Sequence, residues 1–98
     1  SLVGSEMCKE TGYTKAFIGC NGIFNSGITT YSLEEGESQG IPLDNAKNRY
    51  LLVDSTKFNR SDFYIFYDLF NFDAVITDNE IDPDVLKHYK EYTTIVTV

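Results

Sequence analysis

The chain has 98 residues, room for one small domain, and its 42% apolar content with seven Phe and seven Tyr excludes the disordered class. Fifteen acidic residues against eight basic ones, a net charge of −7, exclude the clustered Lys and Arg that hold nucleic acid. Two cysteines and one histidine are too few for a disulfide scaffold or a usual zinc site, and no apolar run reaches the roughly 18–20 residues of a membrane span.

In chain order, residues 2–10 read as a helix ending near Gly12, a natural residue just past a helix end. Lys15 to Cys20 is a short apolar run stopped by Asn21-Gly22, the pattern of a buried strand entering a tight turn. Residues 21–30 read as loop. Ser32 and Glu35 fit a capping box, so 33–48 reads as helical, with Gly36, Gly40 and Pro42 forcing a kink or restart near Ile41. Tyr50 to Val53 is a second apolar run and reads as a central strand ending at Asp54. Residues 61–69 are aromatic-rich and alternate imperfectly, which predicts a short edge strand or an ordered crossover. Ala74 to Thr77 is a third buried strand, ending at Asp78. Pro83 opens a helix to about Tyr92, with Asp82 and Asp84 as N-terminal charge. Thr93 to Val98, β-branched almost throughout, is the fourth strand. Apolar strands alternating with helices predict an α/β fold with a mainly parallel sheet and flanking helices.

In such sheets ligands bind beyond the carboxyl ends of the strands. Three strand ends therefore define one candidate rim: Gly19, Asn21 and Gly22 after the first strand, Asp54, Ser55 and Lys57 after the second, and Asp78 after the third. Gly19 and Gly22 permit close backbone approach to an anion, though a glycine pair after a strand equally makes an ordinary turn. Lys57 offers a point charge to a phosphate, with hydroxyls beside it, or stands as a solvated surface lysine. Asp54 and Asp78 suit sugar hydroxyls or the capping of a following turn. No catalytic set is evident. His88 reads as a surface histidine, and Cys20 reads as a buried thiol with no nearby cation to lower its pKa. No nucleotide or hydrolase motif is present, and no cofactor or metal is implied.

These segments resemble a known pattern. Lys15-Ala16-Phe17-Ile18-Gly19-Cys20-Asn21-Gly22-Ile23, then Gly27-Ile28-Thr29-Thr30 with Glu34 and Glu35, then Tyr50 to Phe58, then Val75-Ile76-Thr77-Asp78, follow in order the motifs of the effector domains of DeoR-type repressors. The resemblance spans about residues 14 to 98. Glu34-Glu35-Gly36-Glu37, Leu43 to Ala46 and Asp62 to Tyr67 are similar to the branch that governs lactose phosphotransferase systems in Gram-positive bacteria.

The resemblance implies a cytoplasmic, non-enzymatic sensor that is no membrane protein, built as the second half of a domain like the sugar-phosphate isomerases, deaminases and CoA-transferases. Residues 1–98 then form a partial effector domain. The first half with its phosphate loop, and the helix-turn-helix that would contact operator DNA, would lie outside it. The implied effector is a sugar phosphate, tagatose 6-phosphate or a fructose phosphate, with Lys57 at the phosphate and Asn21 at the sugar. The related isomerases carry catalytic acids after the first strand. Here Asn21-Gly22-Ile23-Phe24-Asn25 stands instead, and an amide is no carboxylate base. The alternatives are a sugar-phosphate isomerase or deaminase fragment and a structural oligomerisation module. A homo-oligomer is expected, with Phe63 to Tyr67 supplying aromatic contacts.

Overall fold

The computed structural model describes residues 5–10, 13–32, 34 and 43–98. Five strands form one sheet in the order β1-β2-β5-β7-β8: β1 (Ser5–Glu10), β2 (Tyr13–Ile18), β5 (Asn48–Leu52), β7 (Ala74–Thr77) and β8 (Ile95–Thr97). The last four are mutually parallel, and each corresponds to one of the four apolar runs. One face of the sheet is the better covered: Ile18, Leu51, Val75 and Ile95, in register across the strands, are buried, while Phe17, Tyr50, Leu52 and Ile76 on the other face are half-buried. Leu51, Val75 and Ile18 sit at the centre with essentially no exposed surface.

β1 corrects the helical reading of residues 2–10 over its described part. It pairs antiparallel with β2, from Ser5 opposite Ile18 to Glu10 opposite Tyr13. Pairing to a buried neighbour overrides the helix propensity of Glu, Met and Lys.

Residues 21–30 are likewise no plain loop. They form a hairpin of β3 (Gly22–Phe24) and β4 (Gly27–Thr30), and β6 (Tyr64–Asp68) adds to β4 to complete a second, antiparallel sheet. Asn25 takes a positive φ of 53° at the first position of the two-residue turn, as tight hairpins require. β6 is the edge strand expected from its aromatic alternation.

The capping-box helix expected over 33–42 lies outside the described residues, apart from Glu34. Residues 43–45 are helical, but Asn48 already belongs to β5. Helix α1 (Pro83–Tyr89) begins as expected, with Pro at its start and Asp82 Oδ2 accepting from the Val85 N–H at 3.3 Å. It stops three residues earlier than the pattern suggested, and its last turn continues as non-helical turns.

Both sheets share one core. Ile23 and Ile28 of the small sheet pack in the same cluster as Leu51, Val75 and Tyr89. The Tyr89 hydroxyl donates to Asn59 Oδ1 at 2.7 Å and lies 3.3 Å from the Ile23 carbonyl, joining α1 to the small sheet. Among the described residues no helix is long and apolar enough to cross a membrane.

Candidate functional site at the carboxyl ends of β5 and β7

The apolar run of β5 makes a last sheet bond where the Val53 N–H donates to the Ile76 carbonyl at 3.1 Å. The chain then turns. Asp54 caps a 3-10 turn, Ser55–Lys57: its carboxylate accepts from the Thr56 N–H at 2.9 Å and from the Thr56 hydroxyl. The Lys57 N–H donates to the Asp54 carbonyl at 3.1 Å, which brings the lysine back over the strand end. Its ammonium lies 4.0 Å from Asp54 Oδ2, and only 21% of its side chain is exposed.

Asp78, leaving β7, ties the two strand ends together. Its Oδ2 accepts from the Ser55 N–H at 2.8 Å and its Oδ1 from the Glu80 N–H at 2.9 Å.

These ends line an open cavity of about 350 Å³. Cys20, Asp54, Lys57, Thr77 and Asp78 give it polar groups, and Leu52, Val53, Ile76 and Val98 give it apolar walls. Asp54, Lys57 and Asp78 of the expected rim therefore meet, from two parallel strands. Gly19, Asn21, Gly22 and Ser55 are not among the lining residues. Gly19 is buried. The Asn21 N–H is committed to the Thr29 carbonyl at 3.0 Å, and its Oδ1 accepts from the Thr30 hydroxyl at 3.0 Å. Gly22 lies inside β3, where a Cβ would stand 2.2 Å from the Arg60 carbonyl oxygen. Its glycine is thus accounted for by close packing of two backbones. Ser55 supports Asp78 from behind.

Electrostatics sort these groups. Hydrogen bonds from Thr56, its hydroxyl foremost, hold the Asp54 carboxyl below its ordinary range, and Lys57 adds to this. The Ser55 amide does the same for Asp78. Burial drives the Cys20 thiol the other way, to about 12, and outweighs the attraction of Lys57. Cys20 thus does have a cation near it, contrary to the sequence reading, yet it stays protonated and unreactive. Two fixed carboxylates and a fixed thiol leave none of these three groups titrating near neutrality, as a general acid or base would. His88 is exposed on α1, set edge-on to Tyr89 and Tyr92, and does not line the cavity. No group of three or more His, Cys, Asp or Glu among the described residues is placed to hold a metal. The arrangement sets one ammonium and two ionised carboxylates along a partly apolar cavity.

Thr77, which ends the third strand beside Asp78, was not among the candidate site residues. It is 2% exposed, and its Oγ1 has no hydrogen-bond partner among the described residues. An unpaired buried hydroxyl costs about 1–3 kcal/mol. The only visible signal was a threonine closing a Val-Ile-Thr run in which a third aliphatic residue would pack as well.

Residues 2–79 match the family described as "DeoR C terminal sensor domain". Among curated proteins, the chain is 45% identical over 94 residues to the lactose phosphotransferase system repressor of Lactococcus lactis subsp. lactis, covering 96% of this chain and 37% of that protein. It is 37% identical over 84 residues to the protein of the same name from Streptococcus mutans, covering 86% of this chain and 33% of that one. With the Staphylococcus epidermidis repressor it shares 30% over 93 residues, 95% of this chain and 37% of the relative. The chain spans about a third of the length of these relatives. With the rim motifs and the parallel sheet in place, the chain belongs to the DeoR C-terminal sensor domain family.

Proposed function

We propose that this chain is the second half of the sensor domain of a DeoR-type transcriptional repressor of sugar genes, and that its cavity binds the sugar-phosphate inducer. The observation that carries the reading is the convergence of Lys57 with two pre-oriented carboxylates, Asp54 and Asp78, at the cavity between two parallel strand ends. Lys57 holds the phosphate, and the carboxylates accept from sugar hydroxyls. Gly19, Asn21, Gly22 and Ser55 hold the rim in place from behind. Similarity to lactose-system repressors supports tagatose 6-phosphate as the effector, with a fructose phosphate as its competitor. The sheet is read as that of the sugar-phosphate isomerase, deaminase and CoA-transferase class, with binding kept and turnover lost. Operator DNA is contacted by a separate domain, since this acidic segment offers no basic surface, and the repressor works in the cytoplasm. Assembly uses the edge strand β6 and the residue before it: Phe63 and Ile65 are 83% and 72% exposed.

The test is a thermal-shift and calorimetric panel of tagatose 6-phosphate, fructose phosphates and inorganic phosphate on the intact repressor. A ligand at 100 times its Kd stabilises the native state by roughly 2.7 kcal/mol. Lys57→Met should weaken sugar-phosphate binding by on the order of 1.5–3 kcal/mol while leaving the fold in place. Unchanged affinity in that variant would overturn the reading.

A further inference from the structure

We propose that the Thr77 hydroxyl is a ligand contact of this cavity, reserved for a hydroxyl of the bound sugar and setting selectivity for sugar phosphate over bare phosphate. The proposal rests on the sugar-phosphate reading of the cavity. It starts from a contrast among the three buried threonines. Thr29 Oγ1 donates to the Gly22 carbonyl at 3.1 Å and accepts from the Asp62 N–H at 3.0 Å. Thr30 Oγ1 donates to Asn21 Oδ1 at 3.0 Å. Thr77 Oγ1, equally buried, has no partner among the described residues, and Thr77 is the one of the three that lines the cavity.

Thr77 sits on β7 in register with Thr97 and closes the apolar run of Ala74, Val75 and Ile76. Valine has the same branched shape and no polar atom to leave unpaired. A hydroxyl held unpaired at the wall of a cavity is matched when a partner arrives from outside the fold.

Charge decides which part of the ligand that partner is. Lys57 is the cation of the lining, whereas Asp78 directly follows Thr77 and Asp54 stands on the neighbouring turn. A phosphate beside Thr77 would meet Asp78 with no cation adjoining in sequence, whereas at Lys57 the ammonium stands against Asp54 at 4.0 Å, so the phosphate belongs at Lys57 and a neutral sugar hydroxyl at Thr77. The oxygen has less than 1 Å² of exposed surface. The contact therefore requires a rotation about χ1 that brings Oγ1 to the cavity.

Thr77→Val and Thr77→Ser, made in the intact repressor, test this beside Lys57→Met. Melting is measured without ligand, and affinity is measured for tagatose 6-phosphate, fructose 6-phosphate and inorganic phosphate. Thr77→Val should melt at or above wild type, bind the preferred sugar phosphate about tenfold more weakly, the worth of one hydrogen bond, and bind inorganic phosphate as before. Thr77→Ser should keep sugar-phosphate affinity near wild type. The inference is overturned if Thr77→Val melts well below wild type, because the hydroxyl then has a partner within the protein. It is equally overturned if Thr77→Val leaves sugar-phosphate affinity intact while Lys57→Met lowers it. If neither substitution alters binding, or no sugar phosphate binds the wild-type repressor, the reading of the cavity fails and takes this inference with it.

Discussion

The two sheets use apolar residues differently. In the five-stranded sheet, Leu51, Val75 and Ile18 form one buried face, and the strand ends carry the polar groups of the cavity. In the three-stranded sheet the central strand β4 is buried along its whole length, and the exposed positions lie on its neighbours. Ile23 and Ile28 point to the core, while Phe24 and Ile65 stand exposed. The difference teaches that the parallel sheet serves both stability and the site, whereas the exposed residues flanking β4 contribute little to stability and are available to a partner.

The sharpest way to break this comparison is truncation in each sheet. Leu51→Ala, at the centre of the parallel sheet, should destabilise the fold by about 2–5 kcal/mol in urea denaturation. Ile65→Ser should stay within about 0.5 kcal/mol of wild type and move any assembly towards monomer in light scattering. Similar losses at both positions would mean that the small sheet is part of the stability core after all.

A smaller effect separates two glycines within the small sheet itself. Gly22→Ala places a Cβ 2.2 Å from the Arg60 carbonyl oxygen, and backbone has to move to accept it. A loss of about 1–3 kcal/mol is expected. Gly27→Ala meets only the Ile65 Cγ2, at 2.9 Å, on an exposed side chain that can turn away. Its loss should be clearly less than that of Gly22→Ala in the same denaturation series.

The smallest effect near neutrality concerns Cys20, and it emerges only in alkali. The folded thiol keeps its proton up to about 12, whereas its ordinary value is 9.0. Between these values the unfolded chain releases a proton that the folded chain retains. Stability therefore falls as pH rises through that window. In Cys20→Ala this contribution is absent, so the stability difference between wild type and variant should shift against wild type from pH 9 upward. Parallel pH profiles for the two proteins would show the thiol to be exposed, and the site open to water at Cys20.

The parallel strands were legible because their signal is local. Tyr50 to Val53 and Ala74 to Thr77 are apolar at consecutive positions, and no solvated element tolerates that pattern. The hairpin at residues 22–30 was not legible. Gly22 and Gly27 looked like loop residues, but both stand in strands, and Gly22 is glycine because the Arg60 backbone lies too close for a Cβ. The strand character of residues 5–10 was hidden for a related reason, since only pairing with β2 selects it over a helix.

For the site, the sequence by itself determined which residues follow the strand ends, and with them Asp54, Lys57 and Asp78, because chain direction in a parallel sheet sends every such end to one edge. Only the tertiary structure decided which of those residues reach the cavity. Asn21 and Gly22 are turned into a hairpin by bonds to Thr29 and Thr30, while Cys20 stays on the lining. Only the tertiary structure, too, revealed the unpaired hydroxyl of Thr77, because whether a buried oxygen has a partner depends on which distant segments surround it.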